Sequence, residues 1–145
     1  MTAFLERLQN MVQGEAPAPP VSKLIGFSLI DIKPGLAVFE LEAGERHANP
    51  MGTLHGGILC DIADAAMGCA YGSTLEDGES FTTLELKINF LKPVWTGTLT
   101  ATGRLVKRGK TIGLAECDVV DADEVLVARA SSTCMTLRDE DAAGR

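Results

Sequence analysis

Histidine is nearly absent from this chain: His47 and His55 are the only two in 145 residues. The four cysteines, Cys60, Cys69, Cys117 and Cys134, sit in apolar patterns without the paired spacing of a zinc site. These two scarcities speak against a metal centre and point to reduced core thiols in a cytoplasmic protein. Aromatic residues are few and scattered, with five Phe, one Tyr and one Trp, so no aromatic cluster marks a ligand pocket. Positive charge is also short. Thirteen Lys and Arg against twenty Asp and Glu leave a net charge of −7, which argues against a nonspecific nucleic-acid partner. That balance offers no global attraction to an anionic substrate either, so any phosphate contact must be local. The opening residues Met1-Thr2-Ala3-Phe4-Leu5-Glu6-Arg7 lack the basic-then-apolar order of a secretory leader. The apolar helix described below is too short and too broken by acids to cross a membrane. There is no phosphate-cradling Walker loop, no dinucleotide fingerprint and no internal repeat.

What remains is the composition of one soluble domain, with 46% hydrophobic and 23% charged residues. Folding a chain of this length buries roughly 68–70% of its extended surface, enough for a real core. Phe4, Leu5, Leu8, Met11 and Val12 recur at helical spacing, predicting a short amphipathic N-terminal helix. A proline-rich linker follows from Gly14 to Pro20, and Val21 to Ile25 adds one more helical turn. Residues 27–32 and 36–41 read as two strands around a Pro34-Gly35 turn. Residues 83–91, 98–106, 111–120 and 125–137 supply the remaining strands, and an acidic, frayed tail begins at Arg138. In residues 83–91, Leu84, Leu86, Ile88 and Phe90 alternate with Thr83, Glu85, Lys87 and Asn89, which sets Thr83 on the wetter face.

Between the two groups of strands runs His47-Ala48-Asn49-Pro50-Met51-Gly52-Thr53-Leu54-His55-Gly56-Gly57, followed by a segment that is apolar nearly all round. Such a helix, expected from about Gly56 to Ser73, is a buried one. It implies an α+β architecture: an antiparallel sheet of five or six strands curled around one long helix, with a partner subunit covering a further side. Its first N–H groups lack intrahelical partners and carry partial positive charge. At Gly56 and Gly57 no Cβ blocks a substrate oxygen from approaching them. Within the helix Asp61 faces the helix dipole, whereas Asp64 lies too far along for that and needs a partner or a task. Amide donors and a carboxylate are the two halves of an acyl-transfer or hydrolysis site. They are eight residues apart, about 12 Å along one helix axis. One reacting carbonyl sits about 3 Å from both its oxyanion donors and its attacking group. If both residues are catalytic, two chains must share each site, with antiparallel helices about a two-fold axis.

The order Asn49, Gly52, His55-Gly56-Gly57 and Asp64 resembles the hotdog-fold acyl-CoA thioesterases, especially those of the phenylacetate-degradation type. The resemblance covers roughly residues 21–137. It leaves 1–20 as an N-terminal helix and linker, and 138–145 as a polar tail. It implies that Gly56 N–H is the oxyanion donor and that Asp64 of the opposite subunit is nucleophile or general base. It further implies that Asn49 helps hold the thioester or the attacking water, that His55 orients the loop near the thioester, and that a hydroxyl at Thr83, or its neighbour Thr82, positions the water. His47 has no such role and is expected to be a solvated loop residue.

Lys107, Arg108 and Lys110 form the one dense basic cluster, at a hairpin turn near where relatives hold the CoA phosphates. Lys92 and Arg104 are weaker candidates. Leu54, Ile58 and Phe90, with Met67, are candidates for an acyl pocket as well as for plain core. The expected reaction is hydrolysis of an aromatic or medium-chain acyl-CoA by a dimer or dimer of dimers, with no cofactor beyond the CoA of the substrate. A non-catalytic acyl-CoA sensor on the same fold is the main alternative, and a hydratase is a third.

Overall fold

The computed structural model describes all 145 residues, Met1–Arg145. Helix α1, Ala3–Gln13, starts where the Thr2 hydroxyl accepts the Leu5 N–H and ends at Gly14, whose φ of +77° favours glycine. Its Leu5 and Leu8 enter the core, so this helix packs against the body of the domain. Helix α2, Pro20–Ile25, uses proline in its first turn, where a missing N–H costs nothing. Strands β1, Phe27–Lys33, and β2, Leu36–Ala43, form the expected hairpin about Gly35. Helix α3, Gly56–Gly72, is followed by β3, Ser80–Phe90; β4, Gly97–Arg108; β5, Ile112–Val120; and β6, Leu126–Leu137. The expected frayed tail holds a 3₁₀ turn, Asp139–Ala142.

The six strands form one sheet in the order β1-β2-β4-β5-β6-β3, and every neighbouring pair is antiparallel. The sheet wraps one side of α3, which is the hotdog arrangement. At the centre of contact, a Cβ on Gly103 of β4 would lie 2.3 Å from the Ala66 carbonyl oxygen. Only glycine lets the helix backbone press this closely on the sheet. Leu59, Ile62, Ala63, Ala66, Met67 and Ala70 of α3 meet Leu41, Leu99, Ala101, Ala115, Val119 and Ala128 there. The far side of α3 is not covered within the chain, contrary to the all-round burial expected from its composition. Asp61 and Asp64 are exposed, and Ile58, Cys60, Ala65 and Cys69 are only half-buried.

Strand β3 lies at the sheet edge and carries a bulge between Thr83 and Glu85. The extra residue, Leu84, shifts the alternation by one. Before it, Phe81 packs against Tyr71 of α3; after it, Leu86 and Ile88 pack on the core. Thr83 thus faces the helix together with Leu86 and Ile88, which simple alternation forbids. No helix is long and apolar enough to cross a membrane.

The other end of α3 is tied down by side chains. Ser73 Oγ lies 2.7 Å from the Ala70 carbonyl and accepts the Gly35 N–H at 2.8 Å, fixing the β1–β2 turn. The Tyr71 hydroxyl meets Thr136 Oγ1 at 2.6 Å and receives Arg108 at 2.8 Å. Arg108 and Arg138 both bind Glu79, at 3.0 and 2.7 Å. Burial pushes the Glu79 carboxyl up, but the Glu76 N–H and the two guanidiniums outweigh it and hold the group below its ordinary value.

Candidate active site

The loop before α3 is built by its own polar groups. Asn49 Oδ1 accepts the N–H groups of Met51 at 2.9 Å and Thr53 at 3.2 Å, while Asn49 Nδ2 donates to Thr53 Oγ1 at 2.8 Å. Gly52 takes φ +88° in the turn between them. The Asn49 side chain is thus spent largely on holding the loop's shape.

His47 overturns the expectation of a solvated residue, being only 5% exposed. Its Nδ1 accepts the Gly44 N–H at 3.1 Å, which leaves Nε2–H to donate to the Ile25 carbonyl at 2.7 Å. Its own carbonyl accepts the His55 N–H at 2.9 Å. Burial follows because both ring nitrogens and the carbonyl find partners; the ring holds the end of α2 and the carbonyl holds the start of α3.

His55 is the N-cap of α3, with Nδ1 accepting the Gly57 N–H at 2.9 Å. Its carbonyl accepts the Ile58 N–H at 3.0 Å. Gly56 N–H has no partner in the chain and points out of the helix start as a free donor. The Phe90 ring lies against Gly56, so that a Cβ there would be 2.8 Å from Phe90 Cζ. Phe90 is nonetheless 55% exposed, forming a wall beside the free amide. Ile58 is half-buried one turn on. Leu54 and Met67 are core residues instead, at 7% and 0% exposure.

Two turns further along α3, Asp64 Oδ1 accepts a hydrogen bond from Thr83 Oγ1 at 3.1 Å. The bulge in β3 follows directly at Leu84, and the hydroxyl that reaches Asp64 is that of Thr83, not of Thr82. Asp64 is exposed within the chain and not in a dry setting. Asp61, one turn away, has its carboxyl raised by partial burial and by the neighbouring Asp64 charge. Burial, with Asp64 adding to it, pushes the Cys69 thiol up to about 12, and burial likewise carries Cys117 to about 12. All four cysteines are unpaired thiols, and no group of His, Cys, Asp or Glu has metal-holding geometry.

The basic cluster is divided. Arg108 turns inward to Tyr71, Thr136 and Glu79. Lys110 lines a recess of about 350 Å³ with Thr74, Glu76, Glu79, Arg108 and Arg138, while Lys107 borders a different depression beside Leu114 and Thr133. Lys92 is paired with Asp121 and Arg104 with Asp118.

Sequence reasoning missed Ser132, a fully buried hydroxyl on β6 that donates to the Glu85 carbonyl at 2.9 Å. It satisfies the carbonyl that the bulge turns inward. A lone serine among Ala128, Ala130 and Cys134 on the inner face of that strand was the available signal.

With this geometry, the likeness to known proteins becomes specific. A family model described as the thioesterase superfamily matches residues 51–128, which contain the end of the loop from Met51, α3 and β3–β5. A Saccharolobus solfataricus protein named as an esterase is 35% identical over 83% of this chain and 86% of its own length. The acyl-coenzyme A thioesterase PaaI of Escherichia coli strain K12 is 31% identical over 74% of this chain and 75% of its own. A solved phenylacetic acid degradation-related protein of Ralstonia eutropha JMP134 superposes with a TM-score of 0.80 at 33% identity, covering 89% of this chain and 98% of that one. By fold, loop and relatives together, this chain belongs to the thioesterase superfamily and is a hotdog thioesterase of the PaaI-like type.

Proposed function

We propose that the protein hydrolyses acyl-CoA thioesters, aromatic or medium-chain, to free acid and CoA at sites shared between two subunits. The observation that carries this reading is the Thr83–Asp64 hydrogen bond, lying two turns along α3 from the unpartnered Gly56 N–H. The amide stabilises the oxyanion that forms as the carbonyl is attacked. Asp64 either takes a proton from water or attacks to give a mixed anhydride, and Thr83 orients the carboxylate or the water. His55 holds the loop with Nδ1 and leaves Nε2–H to face the thioester. Asn49 keeps the loop in the shape that presents Gly56.

Both groups lie on α3, about 12 Å apart along its axis, so the carbonyl meets Gly56 of one subunit and Asp64 of the other. Two further features favour a dimer. The face of α3 bearing Asp61 and Asp64 is open, and β3 is an eleven-residue edge strand whose bulged residue, Leu84, is 52% exposed. A long exposed edge strand of this kind calls for a partner. Subunit contact also supplies the dry surroundings that Asp64 lacks within one chain. Lys107, Arg108 and Lys110 flank the β4–β5 hairpin and serve the CoA phosphates, with Lys110 and Arg108 on one recess and Lys107 on the other face.

A hydrolysis screen over acyl-CoAs, run on the wild type and on Asp64→Asn, tests the reading. Turnover of at least one class is expected in the wild type and a severe loss of kcat in the variant. Unimpaired hydrolysis by Asp64→Asn defeats the mechanism, and tight acyl-CoA binding without turnover in the wild type favours the sensor alternative. Single-turnover hydrolysis in ¹⁸O water distinguishes the two roles of Asp64, because label enters the carboxylate only if it attacks.

A further inference from the structure

We propose that the two-fold axis of the shared-site dimer passes beside Cys60, so that the Cys60 thiols of two subunits face each other and join as a disulfide under peroxide, a redox-sensitive tie that keeps both sites assembled. The proposal rests on the shared-site reading and adds to it which residue marks the axis. In two antiparallel helices that set Gly56 of one against Asp64 of the other, the residue midway between them comes level with its own copy. That residue is Cys60, four positions from each. Steps of four follow one row of a helix surface, so Cys60 lies on the row that joins Gly56 to Asp64. A row whose two ends both meet the partner presents its middle to the partner as well. Cys60 is half-buried within one chain, at the rim of the face of α3 that the sheet leaves uncovered.

Spacing allows the bond. Packed helices lie about 8–10 Å apart between axes, and Cα atoms stand about 2.3 Å off each axis. Facing Cα atoms are then roughly 3.5–5.5 Å apart, which overlaps the range of about 4.4–6.8 Å found in disulfides. The other thiols have no such mate. Cys69 lies nine residues further along α3, so its two copies are about 27 Å apart along the axis. Cys117 and Cys134 are fully buried inside each chain. The oxidant is hydrogen peroxide. One Cys60 sulfur attacks a peroxide oxygen, the O–O bond breaks, and a sulfenic acid forms as water leaves. The second Cys60 sulfur attacks that sulfenic sulfur, the S–S bond forms, and the hydroxyl leaves with the second thiol's proton as another water. Two thiols lose two electrons and the peroxide gains them. Burial and the Asp61 charge push the Cys60 thiol above its ordinary value, with Asp64 adding to them. The thiolate is the attacking form, so the bond forms slowly near neutrality and faster as pH rises. It lies about 6 Å along the axis from either site and consumes none of Gly56, Asp64 or Thr83.

The experiment treats the wild type, Cys60→Ser and Cys69→Ser with hydrogen peroxide at about pH 8.5, the ordinary thiol value. The wild type and Cys69→Ser should give a covalent dimer on non-reducing electrophoresis, reversed by dithiothreitol, with the Cys60–Cys60 peptide pair identified by mass spectrometry. Cys60→Ser should give none, and should keep the wild-type kcat. Dibromobimane, which joins two thiols only at close range, should link the same pair in the reduced wild type without any oxidant. At dilutions where the reduced protein separates into monomers and loses activity, the oxidised wild type should keep its specific activity; equal loss in both overturns the tie. Failure of both reagents to join Cys60 in protein that native mass spectrometry shows as a dimer, or a covalent dimer that persists in Cys60→Ser, overturns the pairing. Recovery of activity in mixed Asp64→Asn and Gly56→Pro chains would then leave the shared site standing without it. A Cys60–Cys60 bond in a protein that hydrolyses no acyl-CoA upholds the pairing and overturns the thioesterase reading.

Discussion

Gly56 is a glycine for two reasons that act on different atoms. Its missing Cβ makes room for the Phe90 ring, and its N–H, first in α3, finds no partner in the chain. The two can be separated by Gly56→Pro. Proline is tolerated at the first helical position, and His55 before it already has φ −64° and ψ 130°, the conformation a residue preceding proline prefers. The variant should fold, push the exposed Phe90 ring aside and lower kcat about 10²–10³-fold, as loss of one oxyanion donor does. Circular dichroism together with steady-state kinetics checks both halves of that expectation. Asp64→Asn should lower kcat by about 10²-fold or more with little change in KM, since a general base or nucleophile acts chiefly in the transition state.

At the scale of elements, the β3 bulge is the device that brings Thr83 to Asp64, and Ser132 is what holds the bulge. Ser132→Ala should remove the hydroxyl that donates to the Glu85 carbonyl, at a cost of about 0.5–1.5 kcal/mol measured by denaturant melts. Thr83→Val should lower kcat by removing the Asp64 contact. Because Ser132 works through Thr83, the double variant should lose little more activity than either one alone. Additive losses contradict the coupling. The Glu79 network at the other end of α3 has a pH signature. Its folded carboxyl lies below the ordinary Glu value of about 4.3, so the stability it contributes is full above that pH and is lost as pH falls through the lower folded value. Thermal melts of Glu79→Gln should fall well below the wild type near neutrality and converge with it in strong acid.

These elements also mark the limit of what the amino-acid order makes legible. The span of α3 and the β1–β2 turn follow from local apolar periodicity and Pro-Gly chemistry, and they stand within a residue or two of expectation. Thr83 does not, because the bulge at Leu84 comes from pairing with β6, some fifty residues later. The same holds for His47, whose burial depends on a carbonyl 22 residues away, and for Arg108, whose partners Glu79 and Thr136 lie on other elements. The apolar character of α3 is legible as well, but not that one side of the helix stays uncovered in the chain. One chain leaves the Asp64 face open.

For the whole molecule, one helix axis sets the constraint. A carbonyl cannot touch both Gly56 N–H and Asp64 of the same α3, so the mechanism proposed above requires a second chain laid antiparallel to the first. The direct measurement mixes two inactive proteins, Asp64→Asn and Gly56→Pro, under conditions where subunit exchange is verified by mass spectrometry. Random exchange makes half the dimers hybrids, and each hybrid has one site built from an intact Gly56 and an intact Asp64. Activity should return to about one quarter of the wild-type value. Verified hybrids with no recovered activity would contradict the shared site.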